Sequence, residues 1–175
     1  KHTLNYGFDF FSQGDVNDRN IEWIYDKNGL ITSQTKETSL QQGRRSSFGF
    51  YLDDKIQVSD KLTFNIGGRF DFISTSNLDL AGSRVSRSDD FISAYMGSVF
   101  QATSNLSLLA NIGRSFRFPT ISELFYTGLT GRGTVFGNPN LSPERSLNID
   151  LGFRYLHDKF FFSIYGFSNS ISDMI

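Results

Sequence analysis

The side chains able to do chemistry in this 175-residue chain are few and scattered. There is no cysteine, and the two histidines, His2 and His157, stand at opposite ends of the sequence. A thiolate metal site is therefore ruled out, and a histidine cluster of the zinc-binding kind lacks members. A Ser-His-Asp hydrolase would need one of these histidines near a nucleophile elbow, and neither has one nearby. No catalytic residue, metal site or cofactor is expected. The glycine-rich run GLTGRG (128–133) has the composition of a phosphate cradle but lacks the P-loop's Lys-Ser/Thr. It reads as a loop tip in which Arg132 could meet an anionic ligand, since guanidinium pairs well with carboxylates. Asp15, Asp18, Glu22 and Asp26 crowd the segment 12–44, and DKNG (26–29) begins like a calcium loop. The ligand spacing does not continue, so solvated loop charges are expected there. Trp23 and Tyr25, with Phe125 and Tyr126 further on, are aromatics that either stack on a ligand or pack within their loops.

The elements that must position these residues are strands. A formal net charge of −1 and an isoelectric point near 6.1 provide no basic stripe for a nucleic acid. Aromatic residues make up 15% of the chain, yet the mean hydropathy is −0.27, which suits strands with one apolar and one polar face. Alternation runs through 2–11, 46–58, 62–72, 106–116 and 145–155. Segments 91–102 and 159–171 are apolar with a blurred period, so their faces are not assigned. Seven strands of about ten residues are expected, the length that spans a bilayer when tilted. Short turns fall at Ser59-Asp60-Lys61, Thr103-Ser104-Asn105 and His157-Asp158, with long polar segments between the hairpins at 12–44, 74–90 and 117–144.

Short turns on one side and long loops on the other mark an antiparallel transmembrane β-barrel. Arg69, Asp71, Asp150 and Arg154 lie on the polar faces of their strands, where a wet lumen would hold them at little cost. The alternative is a soluble β-sandwich, a binding or adhesion module with long loops. It explains the alternation equally well, but less readily explains three long loops on one side and so many phenylalanines.

All three prolines, Pro119, Pro139 and Pro143, fall within one window of the chain. Pro119 lacks an N–H and holds Phe118 extended, so the fifth strand should stop there. Thr120 and Glu123 form a T-x-x-E capping box for a helical turn over ISELF. Asn138-Pro139 should start a turn, and Ser142-Pro143-Glu144 should lead into the next strand. Two boxes emerge: Phe116-Arg117-Phe118-Pro119 with Glu123-Leu124-Phe125, then Gly137-Asn138-Pro139-Asn140-Leu141 with Pro143-Glu144. In this order and spacing, followed by SLNIDLG, they resemble the paired boxes of TonB-dependent outer-membrane receptors. The hairpin 54–72 is similar to that family's G-x-R-(F/Y)-D hairpin.

The resemblance implies an all-β chain, about seven strands of a 22-stranded barrel with short periplasmic turns and long extracellular loops. Residues 1–175 would be a central-to-late stretch of that wall, without the plug domain and the C-terminal strands. It implies a bacterial outer-membrane location, lipid around the barrel, and uptake of a scarce chelate, an iron-siderophore first and cobalamin next. Energy would come through TonB acting on the plug. Haem receptors of the family place a histidine between the boxes, and TISELFYTGLTGRGTVFG has none. Axial haem ligation from this loop is therefore not expected, and both boxes read first as devices fixing how a loop leaves and re-enters the wall.

Overall fold

A computed structural model describes residues 1–131 and 133–175. Seven strands form one antiparallel sheet: β1 (His2–Tyr25), β2 (Ile31–Gln57), β3 (Leu62–Leu78), β4 (Arg84–Gln101), β5 (Leu106–Arg117), β8 (Glu144–His157) and β9 (Phe160–Ser172), paired in that order. Between β5 and β8 lie a short helix, α1 (Ile121–Phe125), and a small hairpin of β6 (Thr127–Thr130) and β7 (Gly133–Phe136). The sheet is a half-barrel wall, with β1 and β9 each paired on one side only.

The alternation becomes two faces. Phe8, Phe50, Phe70 and Ile92 lie in one cross-strand row, and Leu4, Asp54, Ile66, Met96, Ile112 and Ile149 in another. Their apolar side chains stay exposed, from 40% at Phe70 to 75% at Phe8. A bare apolar sheet face of this extent requires lipid as its solvent. The two unassigned segments now divide. Ile92, Met96 and Phe100 join the apolar face, as do Phe162 and Ile164, whereas Tyr165 and Phe167 stand opposite Gly152 and Asp150 on the polar face.

The belt also reveals strand tilt. Its top is Phe10 on β1, in register with Phe72, but on β5 it is Ile112, in register with Ile66. Six residues along the strands across four strand spacings is about 20 Å against about 19 Å. That corresponds to a tilt of about 45°, the inclination of membrane barrel strands. Above the belt the same face turns polar at once, through the row Ser12, Ser46, Ser74 and Ser88.

Strand length departs from expectation. The strands run 12 to 27 residues rather than ten, and the polar segments 12–44 and 74–90 are mostly strand. Two hairpins simply continue above the belt, where lipid no longer covers the outer face and the box unit covers part of the inner one, so strict apolar alternation is no longer needed. Their tips, 26–30 and 79–83, share one D-x-x-G turn. In each the aspartate Oδ1 accepts two backbone N–H groups, from Asn28 and Leu30 or from Ala81 and Ser83. The glycines, Gly29 and Gly82, take φ of 78° and 85°, the left-handed region. The DKNG aspartate is thus a turn acceptor. Bulges at Asp15 and Gln42 bend the first hairpin just above the belt. Segment 117–144 is the one long connection between strands of the sheet.

Candidate ligand-binding face and the paired-box unit

The boxes build the packed core of this chain. β5 ends at Arg117, before the proline. Thr120 caps α1: its hydroxyl accepts from Glu123 N at 3.2 Å, and the Glu123 carboxylate accepts from Thr120 N at 2.8 Å. The helix thereby turns Ile121, Leu124 and Phe125 onto Leu40 and Ile73, on the side of the sheet opposite the apolar belt. Leu124 is fully buried.

The second box seats on the end of this helix. A Cβ on Gly137 would stand 2.7 Å from Phe125 N and 2.8 Å from Leu124 O, so the close backbone approach requires glycine. Asn138 N donates to Glu123 O at 3.1 Å, and Leu141 N returns to Asn138 O to close the turn containing Pro139. Pro143 is buried beside the start of β8. Arg117 ties the boxes together, donating to both Glu144 oxygens (2.8 and 2.9 Å) and to Glu123 (3.1 and 3.2 Å). Those bonds raise the Arg117 pKa and hold Glu144 down to about 2, with the Ile175 N–H contributing. Burial alone would raise Glu123, but Arg117 and the Thr120 donors outweigh it and keep that carboxylate below its usual value.

Several residues of this unit escaped the sequence reading. Pairing between β4 and β5 stops at Ala94–Arg114, and the second box fills the space above. There Arg87 grips Asp89 with two bonds of 2.6 and 2.9 Å and donates to the carbonyls of Pro139 and Leu141. Arg45 and Arg87 both lie over the Phe118 ring, 5.2 and 5.5 Å from its centroid. Phe116, a box residue, stacks on Phe91 at 4.5 Å. A signal existed: Arg87-x-Asp89 repeats Arg69-x-Asp71, and both pair within one strand face.

On the polar face at belt height, Arg69 bridges Asp9 (2.6 Å) and Asp71 (2.7 Å), its guanidinium lying where a side chain on Gly49 would stand. Asn111 donates to Asp150 at 3.0 Å, Tyr95 donates to Asp53 at 3.0 Å, and Arg154 alternates onto the same face. Two of the clefts above bear candidate residues. One of about 370 Å³ runs beneath the box unit between Leu40, Asn77, Leu80 and Phe125. The other, about 530 Å³, lies between the first hairpin and β6, lined by Asn20, Glu22, Glu37, Tyr126 and Leu129.

Of the aromatic candidates, Phe125 is packed in the core with one edge on the first cleft, and Tyr126 lines the second. The Tyr126 hydroxyl accepts from Asn20 Nδ2 at 3.0 Å. Trp23 and Tyr25 are not brought to them. They sit near the tip of β1, exposed, and Trp23 alternates away from Asn20 and Glu22. Arg132 lies outside the described residues.

The family model described as TonB dependent receptor-like, beta-barrel matches residues 1–175. The chain belongs to the TonB-dependent receptor family. Curated relatives of this receptor wall include a vitamin B12 transporter, BtuB, from Photobacterium profundum, 31% identical over 80 residues, 46% of this chain and 12% of that protein. TonB-dependent heme receptor A of Haemophilus ducreyi is 28% identical over 165 residues, 86% of this chain and 20% of that protein. The chain therefore spans a fifth or less of the length of these two relatives. Among solved structures, the copper transporter OprC superposes with a TM-score of 0.73 at 19% identity, over 99% of this chain and 28% of that one. That likeness shows the shared barrel fold. As a TonB-dependent receptor, the protein is an outer-membrane barrel, with its short turns periplasmic and its long hairpins and box unit extracellular. The soluble sandwich is set aside.

Proposed function

We propose that residues 1–175 are part of the barrel domain of a longer uptake receptor, taking a scarce metal chelate across the outer membrane with energy from TonB. The polar face, with Arg69, Asp71, Asp150 and Arg154, lines the lumen against a plug domain, through which TonB acts. Transport rather than catalysis is supported by the family and by the relatives' names. A whole chelate, rather than a bare ion, is supported by the two curated relatives, a vitamin B12 transporter and a heme receptor. A chelate brings its own metal ligands and needs only polar and aromatic surface to recognise it.

An iron-siderophore is the first substrate and cobalamin the second. Tyr126 and the exposed edge of Phe125 form the contacts nearest the clefts, Arg132 meets an anionic group of the ligand, and Trp23 and Tyr25 stand at the rim. The box residues act structurally, fixing the loop that carries those contacts. The observation that carries this reading is a two-faced wall bearing a docked extracellular loop over open clefts. A deletion strain grown on single iron sources and on cobalamin tests it. Loss of growth on one ferric chelate, restored by the intact gene, is the expected result. Unchanged use of every iron source and of cobalamin would overturn it.

A further inference from the structure

At the upper edge of the belt, two strands end in an arginine, whereas β4 passes from Ile92 to Asp90. On β1 to β3 the lipid-side face passes from phenylalanine to serine: Phe10 to Ser12, Phe48 to Ser46, and Phe72 to Ser74. On β5 it passes from Ile112 directly to Arg114, and on β8 from Leu147 directly to Arg145. Both arginines point to the lipid side. Gly113 faces Tyr95 on the polar face, which turns Arg114 the other way. Glu144 and Ser146, on either side of Arg145, bond to Arg117 and Ser115 on the polar face, which turns Arg145 outward too.

Arg114 lies opposite Leu147, and Arg145 opposite Phe116, so the two arginines are diagonal neighbours on adjoining strands. Such diagonal positions are roughly 7–8 Å apart, within joint reach of one ligand for side chains this long. Ser172 of β9 lies directly opposite Arg145 and shares its face by alternation. Both arginines are exposed, and neither takes part in an ion pair or side-chain hydrogen bond with a described residue. Asp90 shares the face but stands four residues higher on β4 than Ala94, the partner of Arg114. Arg45, Arg87 and Arg117, by contrast, are engaged by protein groups, while Arg19, exposed on the first hairpin, stands apart from this pair.

We propose that Arg114 and Arg145, with the Ser172 hydroxyl, form a docking site for a phosphate of the anionic lipid in the outer leaflet. Two guanidinium groups present planar donor pairs that suit a phosphate, and the height is that of lipid headgroups rather than of acyl chains. Two uncompensated cations side by side repel each other, and a shared anion removes that repulsion. The site faces away from the lumen, so ligand uptake and lipid binding use opposite sides of the same wall.

Native mass spectrometry of the purified full-length receptor, titrated with bis-phosphorylated lipid A and with the same lipid stripped of phosphate, tests the proposal. The wild type should retain the phosphorylated lipid about tenfold more strongly, the scale of charge-assisted bonds. The double variant Arg114→Gln, Arg145→Gln should lose that preference while Arg84→Gln keeps it. Heat-modifiable gel mobility reports that each variant is a folded barrel. If the double variant does not fold, the two single variants and the wild-type comparison of the two lipids decide. Equal retention of both lipids by the wild type, or an undiminished preference in folded variants lacking the arginines, would overturn the site.

Discussion

The wall at belt height and the paired-box unit above it are stabilised in different ways. At belt height the apolar side chains point outward and stay exposed, and cohesion within the sheet comes from the backbone ladder and polar-face pairs such as Arg69 with Asp9 and Asp71. In the box unit the apolar side chains point inward, and Leu124, Phe125, Phe118 and Ile121 bury one another against Leu40 and Ile73. The first arrangement depends on lipid as its solvent, the second on exclusion of water. A perturbation aimed at one should therefore leave the other standing.

The largest effect is expected from placing a charge on the lipid side. Met96→Arg, near the middle of the belt between Ile66 and Ile112, should cost roughly 2–4 kcal/mol, whereas Asn65→Arg, on the polar face of the neighbouring strand, should cost little. Urea-driven unfolding in lipid vesicles measures the difference, and equal costs would break the two-face assignment. Next comes Gly137→Val, which forces the second box off α1. Overpacking against fixed backbone costs roughly 1–3 kcal/mol, and it should appear as faster amide exchange across 121–141 with the β1–β5 ladder unchanged. Exchange that accelerates in the strands as well would show that the unit supports the wall.

The smallest effect is a pH dependence confined to the box unit. Glu144 and Glu123 both titrate below the ordinary 4.5, Glu144 near 2. Their contribution is therefore complete above pH 4.5 and is lost as pH falls through their folded values, toward 2. Exchange rates for 121–141, corrected for their intrinsic pH dependence, should rise relative to the strands only in that window. Loosening that begins near neutral pH would exclude these carboxylates as its cause.

Much of the wall was legible because one solvent boundary imposes period 2. The strands around 62–72 and 145–155 show it without interruption, and the stop at Pro119 and the Thr120–Glu123 cap are purely local chemistry. The long upper hairpins were hidden because no lipid boundary demands an apolar face there and their covered side is largely polar (Ser39, Thr75, Asn77), so polar strand reads as loop. The repeated D-x-x-G at 26–29 and 79–82 was the available clue, each a turn aspartate followed by a left-handed glycine. Arg87 and Arg45, and their stacking on Phe118, were hidden for a different reason. Their partners lie tens of residues away, and alternation reports a face but not what rests upon it.

By itself the sequence determined local matters: which side chains share a strand face, where turns and proline stops fall, and which pair of boxes marks the family. These follow from φ/ψ limits and from the two-residue repeat of a strand, which act over a few residues. Tertiary structure alone decided the register. Register set the strand tilt, stopped the β4–β5 ladder at Ala94, opened the space the second box fills, and placed Arg114 diagonal to Arg145. Register is a relation between distant strands, fixed by the summed fit of whole faces, and no short stretch of sequence contains it.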